Sequence, residues 1–299
     1  FDDRVAALPE KFAPRAKAVA HFDIDPSEIN KVKKVNWSHI GLLKEALSEL
    51  TVYASKNKIK PDFSNWLQET QALKEKHGMK YNMDSELIQP EMVLDEINKL
   101  TKGNAIVSTG VGQHQMWAAQ YYKFEKPNKW ITSGGLGTMG FGFPAAIGAQ
   151  FANPNTLVID IAGDGSILMN IQEMSTAVQY RLPVKIFILN NQYMGMVRQW
   201  QELLHEKNYS ESYTEALPDF VKLAEAYGCV GIKAHNPDEL DEKIQEMISI
   251  DRPVIFDCHV DQAENCFPMI PSGKPHNQML LGPKDQEENK ITGKGKALV

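Results

Sequence analysis

A doubly wound, mostly parallel α/β sheet is the fold class this sequence predicts, on three observations. Two apolar runs rich in Val and Ile, at 157–162 and 184–189, have the composition of strands buried on both faces. The stretch between them, 167–180, has the length of a helix and makes a strand–helix–strand unit with parallel strands. From Pro90 onward, helical and strand-like segments alternate regularly.

The elements follow in order. Residues 16–24 read as a strand and 40–50 as an amphipathic helix. One strand and one helix cannot close a core, and the chain opens at Phe1 without Met. The expectation is therefore a piece of a longer protein. Residues 56–83 are polar and Lys-rich, with Pro61, Gly78, Phe63 and Trp66, and suit a partly helical connector. Pro90 occupies a first helical position, with Val93, Ile97 and Leu100 following at helical spacing. A strand at 105–109 and a helix at 116–122 come next, then a glycine-rich stretch, 133–142, and a helix at 145–151. Phe220, Leu223, Ala224 and Tyr227 mark a helix stopped by Gly228. Leu240, Ile244, Met247 and Ile248 mark another, and 254–260 is the last core strand. A sheet of about five or six strands results. The stretch 282–299 is charged and aperiodic, and is expected to be loose or to pack on a neighbour.

The 299 residues suffice for one large or two ordinary domains. A net charge of −6 without a basic stripe argues against nucleic acid. No apolar run approaches the roughly 20 residues that cross a bilayer, and no signal peptide opens the chain. Cys229, Cys258 and Cys266 lack CxxC spacing and suit a reducing compartment. A soluble cytoplasmic protein is expected, with no membrane partner.

The chemistry concentrates where strands end. The first apolar strand runs into Gly163-Asp164-Gly165-Ser166 and the second into Asn190-Asn191. In a parallel sheet both ends open onto one edge, where ligands of open α/β sheets bind. Asp164 and Asn191 then offer two hard oxygens, and a helix beginning near Ser166 aims free N–H groups at a phosphate. Carboxylate, amide oxygen and phosphate are what six-coordinate Mg²⁺ accepts. Taken alone, Gly-Asp-Gly is a turn and Asn-Asn a solvated loop; their pairing on consecutive strands is what favours a ligand. Gly110-Val111-Gly112-Gln113-His114-Gln115 reads either as phosphate donors at a strand end or as a turn with a surface His. The glycines of 133–140 permit either close contact with a flat ligand or a flexible loop. Within them, the Met139 thioether can wedge between rings. Met194, Met196 and Trp200 fit a core helix or a cavity wall.

The Gly-Asp-Gly and Asn-Asn pair resembles the diphosphate–Mg²⁺ motif of thiamine diphosphate (ThDP) enzymes. VGQHQMWAAQ at 111–120, SGGLGTMG at 133–140 and GMVRQWQ at 195–201 resemble the acetolactate synthase type within that family. The resemblance implies that Asp164 and Asn191 ligate Mg²⁺ by side chain and Tyr193 by backbone carbonyl. It puts Gln113 and His114 on the diphosphate, Gly137 at the aminopyrimidine and Met139 beneath the bent cofactor. Gly163, Gly165, Ser166, Gly195 and Met196 complete the cofactor contacts. Met196, Trp200 and Arg4 are implied to line a substrate channel, and Asp2, Asp23 and Ile24 to touch an FAD without redox work. Residues 31–37 depart from the family's pattern, which carries a Gly-Asp pair touching flavin.

The implied organisation is the remnant of a middle, FAD-contacting α/β domain at 1–53 and a linker at 54–85. The ThDP diphosphate- and Mg-binding domain follows at 86–275, and a tail at 276–299. The implied reaction decarboxylates pyruvate and joins the product to a second 2-keto acid, pyruvate or 2-ketobutyrate, in branched-chain (isoleucine and valine) biosynthesis. Implied partners are a second copy, as homodimer or homotetramer with a shared active site, and a small regulatory subunit. The family's activating Glu belongs to a pyrimidine-binding domain with no counterpart here, so no catalytic acid–base is assigned. The chain alone is expected to bind Mg-ThDP weakly without turnover. Two other readings stand beside this one: a ThDP-dependent 2-keto acid decarboxylase, and a non-catalytic nucleotide- or phosphate-binding module.

Overall fold

The computed structural model describes residues 1–271 and 273–283, with only the backbone of Asp3 and Arg4. The chain divides into two compact units, Phe1–Gly78 with Phe267–Val299, and Met79–Cys266.

The first unit holds helix α1 (Asp3–Ala6), strands β1 (Ala20–Asp23) and β2 (Trp37–Ile40), and helices α2 (Leu43–Lys56) and α3 (Ser64–His77). The two strands pair in parallel, Ala20 opposite Trp37. The strand expected at 16–24 is thus shorter, and a second strand precedes the helix, which starts at Leu43 instead of residue 40. Four residues, Trp-Ser-His-Ile, are too few for the alternation of a strand to stand out. Burial is sparse here: Ala46 is the buried residue of α2, while Leu43, Leu47 and Leu50 are about half exposed. Residues 284–299, most of the expected tail, lie outside the described residues.

The second unit is built on a six-stranded sheet in the order β4-β3-β5-β6-β8-β7. Its strands are β3 (Ile106–Thr109), β4 (Trp130–Thr132), β5 (Val158–Gly163), β6 (Lys185–Asn190), β7 (Val230–Ala234) and β8 (Val254–His259). Every pairing is parallel. Two strands went unforeseen: β4 is three residues long, and Gly231 and Lys233 dilute the apolar signal of β7.

Alternation along the strands makes two cores. Ile159, Ile161, Phe187 and Leu189 face one side, covered by α4 (Pro90–Thr101) and α5 (Gln113–Tyr121). Val158, Ala162, Ile186 and Ile188 face the other, under α6 (Gly142–Ala152), α7 (Asp164–Leu168) and α8 (Met174–Gln179). Helices α9 (Gly195–Leu204), α10 (Phe220–Tyr227) and α11 (Leu240–Ser249) complete the unit. Near-continuous apolar strands are the consequence of covering both faces. The helix expected at 167–180 is broken into α7, a 3-10 turn at Ile171–Glu173, and α8. The break falls at Asn170, whose φ of −137° is not helical and whose amide donates to the Gly140 carbonyl at 2.9 Å.

Where α6 meets the sheet there is no room for a side chain. A Cβ on Gly142 would lie 2.2 Å from Asp160 Oδ1 and 2.4 Å from the Gly110 nitrogen. Asp160 is itself buried and held by the Ser108 hydroxyl at 3.1 Å, so it has little freedom to withdraw. Gly142→Ala is expected to cost about 2 kcal/mol through overpacking. Denaturant melts with wild-type stability would refute the point.

Candidate cofactor site

β3 is followed in sequence by β4 on one side of it, while β5 lies on the other. That reversal opens a crevice at the carboxyl ends of β3 and β5, the place where open α/β sheets bind ligands. β5 and β6 run in register with Gly163 opposite Leu189. The residues that follow, Asp164 on one strand and Asn190-Asn191 on the other, therefore emerge at one rim.

A cavity of about 200 Å³ sits at this rim. The β3–α5 connection supplies Val111, Gly112, Gln113, His114 and Trp117, and the loop before α6 supplies Met139. Gly163, Asp164, Gly165 and Ser166 come from the start of α7, and Leu189, Asn191 and Tyr193 from the end of β6. Met194, Gly195, Met196 and Val197 close the wall as the chain enters α9. Eleven of the expected site residues are thus brought together: Gln113, His114, Met139, Gly163, Asp164, Gly165, Ser166, Asn191, Tyr193, Gly195 and Met196.

Others are elsewhere. Gly137 does not line the cavity; its φ is +70°, and a Cβ placed there would meet the Val111 side chain at 3.8 Å. Trp200 is also outside the lining and 41% exposed, one helical turn beyond Val197 on the same row of α9. The Arg4 side chain lies outside the described residues. Asp2, Asp23 and Ile24 belong to the first unit, where the Asp23 carboxylate engages His21 at 3.2 Å and the Asp25 N–H at 3.0 Å.

The polar groups of the cavity are poised for a ligand. Asp164 is 2% exposed; the Gly165 N–H donates to Oδ1 at 2.6 Å, while Oδ2 has no hydrogen-bond partner. Burial lifts its pKa to about 6, against the pull of the Gly165 and Gln192 N–H groups. His114 is buried too, and burial pushes its pKa down to about 4, so the ring is neutral. Its Nε2 also lacks a partner. Gly110, Gly112 and Gly163 form the slot that holds this ring: a Cβ on any of them would come within 2.9 Å of it. Buried polar atoms in native proteins are almost always satisfied, so two orphans on one cavity mark where a ligand completes the bonding.

Gln113 lines the cavity with its side-chain amide already bonded, Nε2 donating to Gln199 Oε1 at 2.7 Å and Oε1 accepting from Asn191 Nδ2 at 3.3 Å. It is also the first residue of α5, and the opening N–H groups of a helix have no partner on the preceding turn. Among the described residues no three His, Cys, Asp or Glu side chains gather into a metal site. A cation at Asp164 would take one carboxylate and neutral oxygens, as Mg²⁺ does with phosphates, and unlike Zn²⁺.

Residues 110–258 match the family model described as thiamine pyrophosphate enzyme, C-terminal TPP binding domain. The chain belongs to the thiamine pyrophosphate enzymes. It is 46% identical over 292 residues to the acetolactate synthase large subunit of Haemophilus influenzae, covering 97% of this chain and 51% of the relative. To the acetolactate synthase isozyme 3 large subunit of Escherichia coli it is 45% identical over 94% of this chain and 50% of the relative. To the chloroplastic acetolactate synthase 1 of Nicotiana tabacum it is 46% identical over 91% of this chain and 42% of the relative. The chain spans about half the length of these curated relatives.

In this thiamine pyrophosphate enzyme two residues of the 195–201 run that were given no role of their own, Gln199 and Arg198, are buried. Arg198 binds Glu202 at 2.8 Å and the Glu264 carbonyl at 2.7 Å. Asp257 accepts from Asn190 Nδ2 at 2.8 Å and steadies the turn that carries Asn191. An Asp inside the apolar run of β8 was the one available signal.

Proposed function

We propose that the chain is the catalytic-subunit part of an acetolactate synthase, acting with ThDP and Mg²⁺ on pyruvate and a second 2-keto acid, pyruvate or 2-ketobutyrate. The observation that carries this reading is the buried, half-satisfied Asp164 carboxylate on a cavity whose other polar wall is Asn191 and the neutral His114. Asp164, Asn191 and the Tyr193 carbonyl would hold the cation. The first turn of α5 and His114 would hold the diphosphate, and Met139, against Gly165, would support the rings. When bound, ThDP supplies an acidic ring carbon that adds to a keto group and stabilises the charge left by departing CO₂.

The protein's own contribution is to bind, orient and keep water out. Met194, Met196 and Val197 make one wall apolar, and Trp200 follows Val197 one turn along α9. A dry wall favours ligation of the second keto acid over protonation. Asp164 is the sole carboxylate lining the cavity among the described residues, and it is committed to the cation. A polypeptide of residues 1–299 alone is accordingly expected to bind the cofactor without turnover. Binding of FAD at Asp2, Asp23 and Ile24, a shared active site between two copies, a regulatory subunit and a cytoplasmic location belong to the same reading.

Product analysis tests it. The full-length protein, given pyruvate, Mg²⁺ and ThDP, is expected to release acetolactate. Acetaldehyde as the main product would assign a decarboxylase instead. Absence of any ThDP binding by calorimetry, with tight nucleotide binding, would leave only the non-catalytic module.

A further inference from the structure

Three side-chain amides stand in a row, Asn191 and Gln113 on the cavity wall and Gln199 outside its lining, and backbone sets the orientation at the Gln199 end. Gln199, 1% exposed, donates from Nε2 to the Cys266 carbonyl at 3.1 Å and accepts at Oε1 from the Cys266 N–H at 2.9 Å. A backbone N–H and C=O cannot exchange places, so this two-point pairing admits one orientation of the Gln199 amide. The same Oε1 accepts from Gln113 Nε2 at 2.7 Å, and the Glu264 carbonyl takes a second bond from that nitrogen at 3.2 Å. With two acceptors facing its nitrogen, Gln113 must turn Oε1 the other way, where it accepts from Asn191 Nδ2 at 3.3 Å. Asn191 is left with Oδ1 as its free end. The Tyr193 N–H, at 3.2 Å, takes one of the two lone pairs on that oxygen, and one remains.

We infer that Gln199 is a positioning residue that decides, through Gln113, which end of the Asn191 amide faces the cation. The inference rests on the reading of Asn191 as a metal ligand. Reversing Asn191 would set its oxygen against Gln113 Oε1 and its NH₂ against the Tyr193 N–H. It would also present hydrogens to a positive ion. Each junction in the row forbids the flip unless its neighbour flips too, and Cys266 backbone blocks the last step. Buried amide rows of this kind act as a unit.

The test uses the full-length protein, with Mg²⁺ titrated calorimetrically at saturating ThDP and thermal melts run alongside. Gln199→Met removes both polar ends at similar length and is expected to weaken Mg²⁺ binding about tenfold, as loss of an outer-shell partner does. Gln199→Glu still accepts from Cys266 N–H and Gln113 Nε2, so Gln113 stays oriented. It is expected to keep Mg²⁺ affinity near wild type while melting below Gln199→Met, because it buries a charge. Metal affinity and melting temperature then rank the two variants in opposite orders, which a merely structural glutamine does not produce. Affinity that falls in step with melting temperature, or that falls in neither variant, overturns the inference. Should Gln199→Glu not fold, Gln113→Met decides: about tenfold weakening supports the relay and wild-type affinity overturns it. Asn191→Leu separates the underlying reading. Wild-type Mg²⁺ affinity there would remove Asn191 from the metal site, whereas loss there with none in Gln199→Met sinks the relay alone.

Discussion

Replacing Asp164 with Ala is expected to abolish Mg²⁺-dependent binding of ThDP while leaving the cofactor-free protein folded. The carboxylate is 2% exposed with one oxygen unpartnered, so without a cation its charge is a burden on the folded state. Burial already raises its pKa to about 6. Removing it relieves that cost, leaves the Gly165 N–H without its bond at Oδ1, and leaves the Gln192 N–H its bond to Asn190 Oδ1 at 3.2 Å. Metal affinity moves the other way, because Asp164 is the one anionic side chain lining the cavity among the described residues. Loss of outer-shell partners alone costs about 10- to 100-fold in metal affinity, so loss of the charged ligand should exceed about 100-fold, or roughly 2.8 kcal/mol. Asp164→Asn, which keeps the shape, should show the same separation more mildly. Calorimetric titration of Mg²⁺ and melts without cofactor measure the two effects. Unchanged Mg²⁺ affinity, or a metal-free protein that no longer folds, would contradict the assignment.

Glu91→Gln is expected to stabilise the protein at alkaline pH and do little in acid. Glu91 lies in the first turn of α4, 5% exposed, with Oε2 unpartnered. Burial first, and then the neighbouring Glu264 and Asp261 charges, raise its pKa from 4.5 to about 7; its own backbone N–H and Trp117 offset part of this. Between those two values the folded state holds a proton that the unfolded state has released. Stability from this group therefore falls as pH rises from about 4.5 to about 7, and the full penalty is present above it. A shift of that size corresponds to roughly 3 kcal/mol. Gln mimics the protonated acid and has no proton to lose. The difference in unfolding free energy between variant and wild type should be near zero at pH 4 and approach about 3 kcal/mol at pH 8. A difference that does not change with pH would show that Glu91 is already charged when folded.

Legibility of the fold followed the length of the signal. Strands β5, β6 and β8, each six residues of mostly apolar side chain, stood out from composition alone. β2, β4 and β7 are shorter or carry Ser, His, Gly and Lys, and their strand character comes from the neighbours they pair with. The helix between β5 and β6 was legible as a length of chain. Its break at Asn170 was not, because the partner that holds that side chain, Gly140, is distant in sequence.

The site divides the same way. That Asp164 and Asn191 share a rim follows from the sequence by itself, since two parallel strands joined by one helix must end on one edge. The three glycines beside His114 could be counted in the sequence, but not their purpose; only packing turns 110, 112 and 163 into the slot for a neutral imidazole. Gln113 carries the same lesson. Its neighbours along the chain read as either a phosphate loop or a plain turn, and neither reading foretells that its side chain is bonded to Gln199 and Asn191, both more than seventy residues away. Chain-local pattern determines which elements form and which strand ends carry chemistry, because periodicity and turn chemistry act over a few residues. Which buried amide meets which, and therefore what each polar atom has left to offer a ligand, is decided by tertiary packing, because a desolvated donor or acceptor must take whatever partner the fold brings within reach.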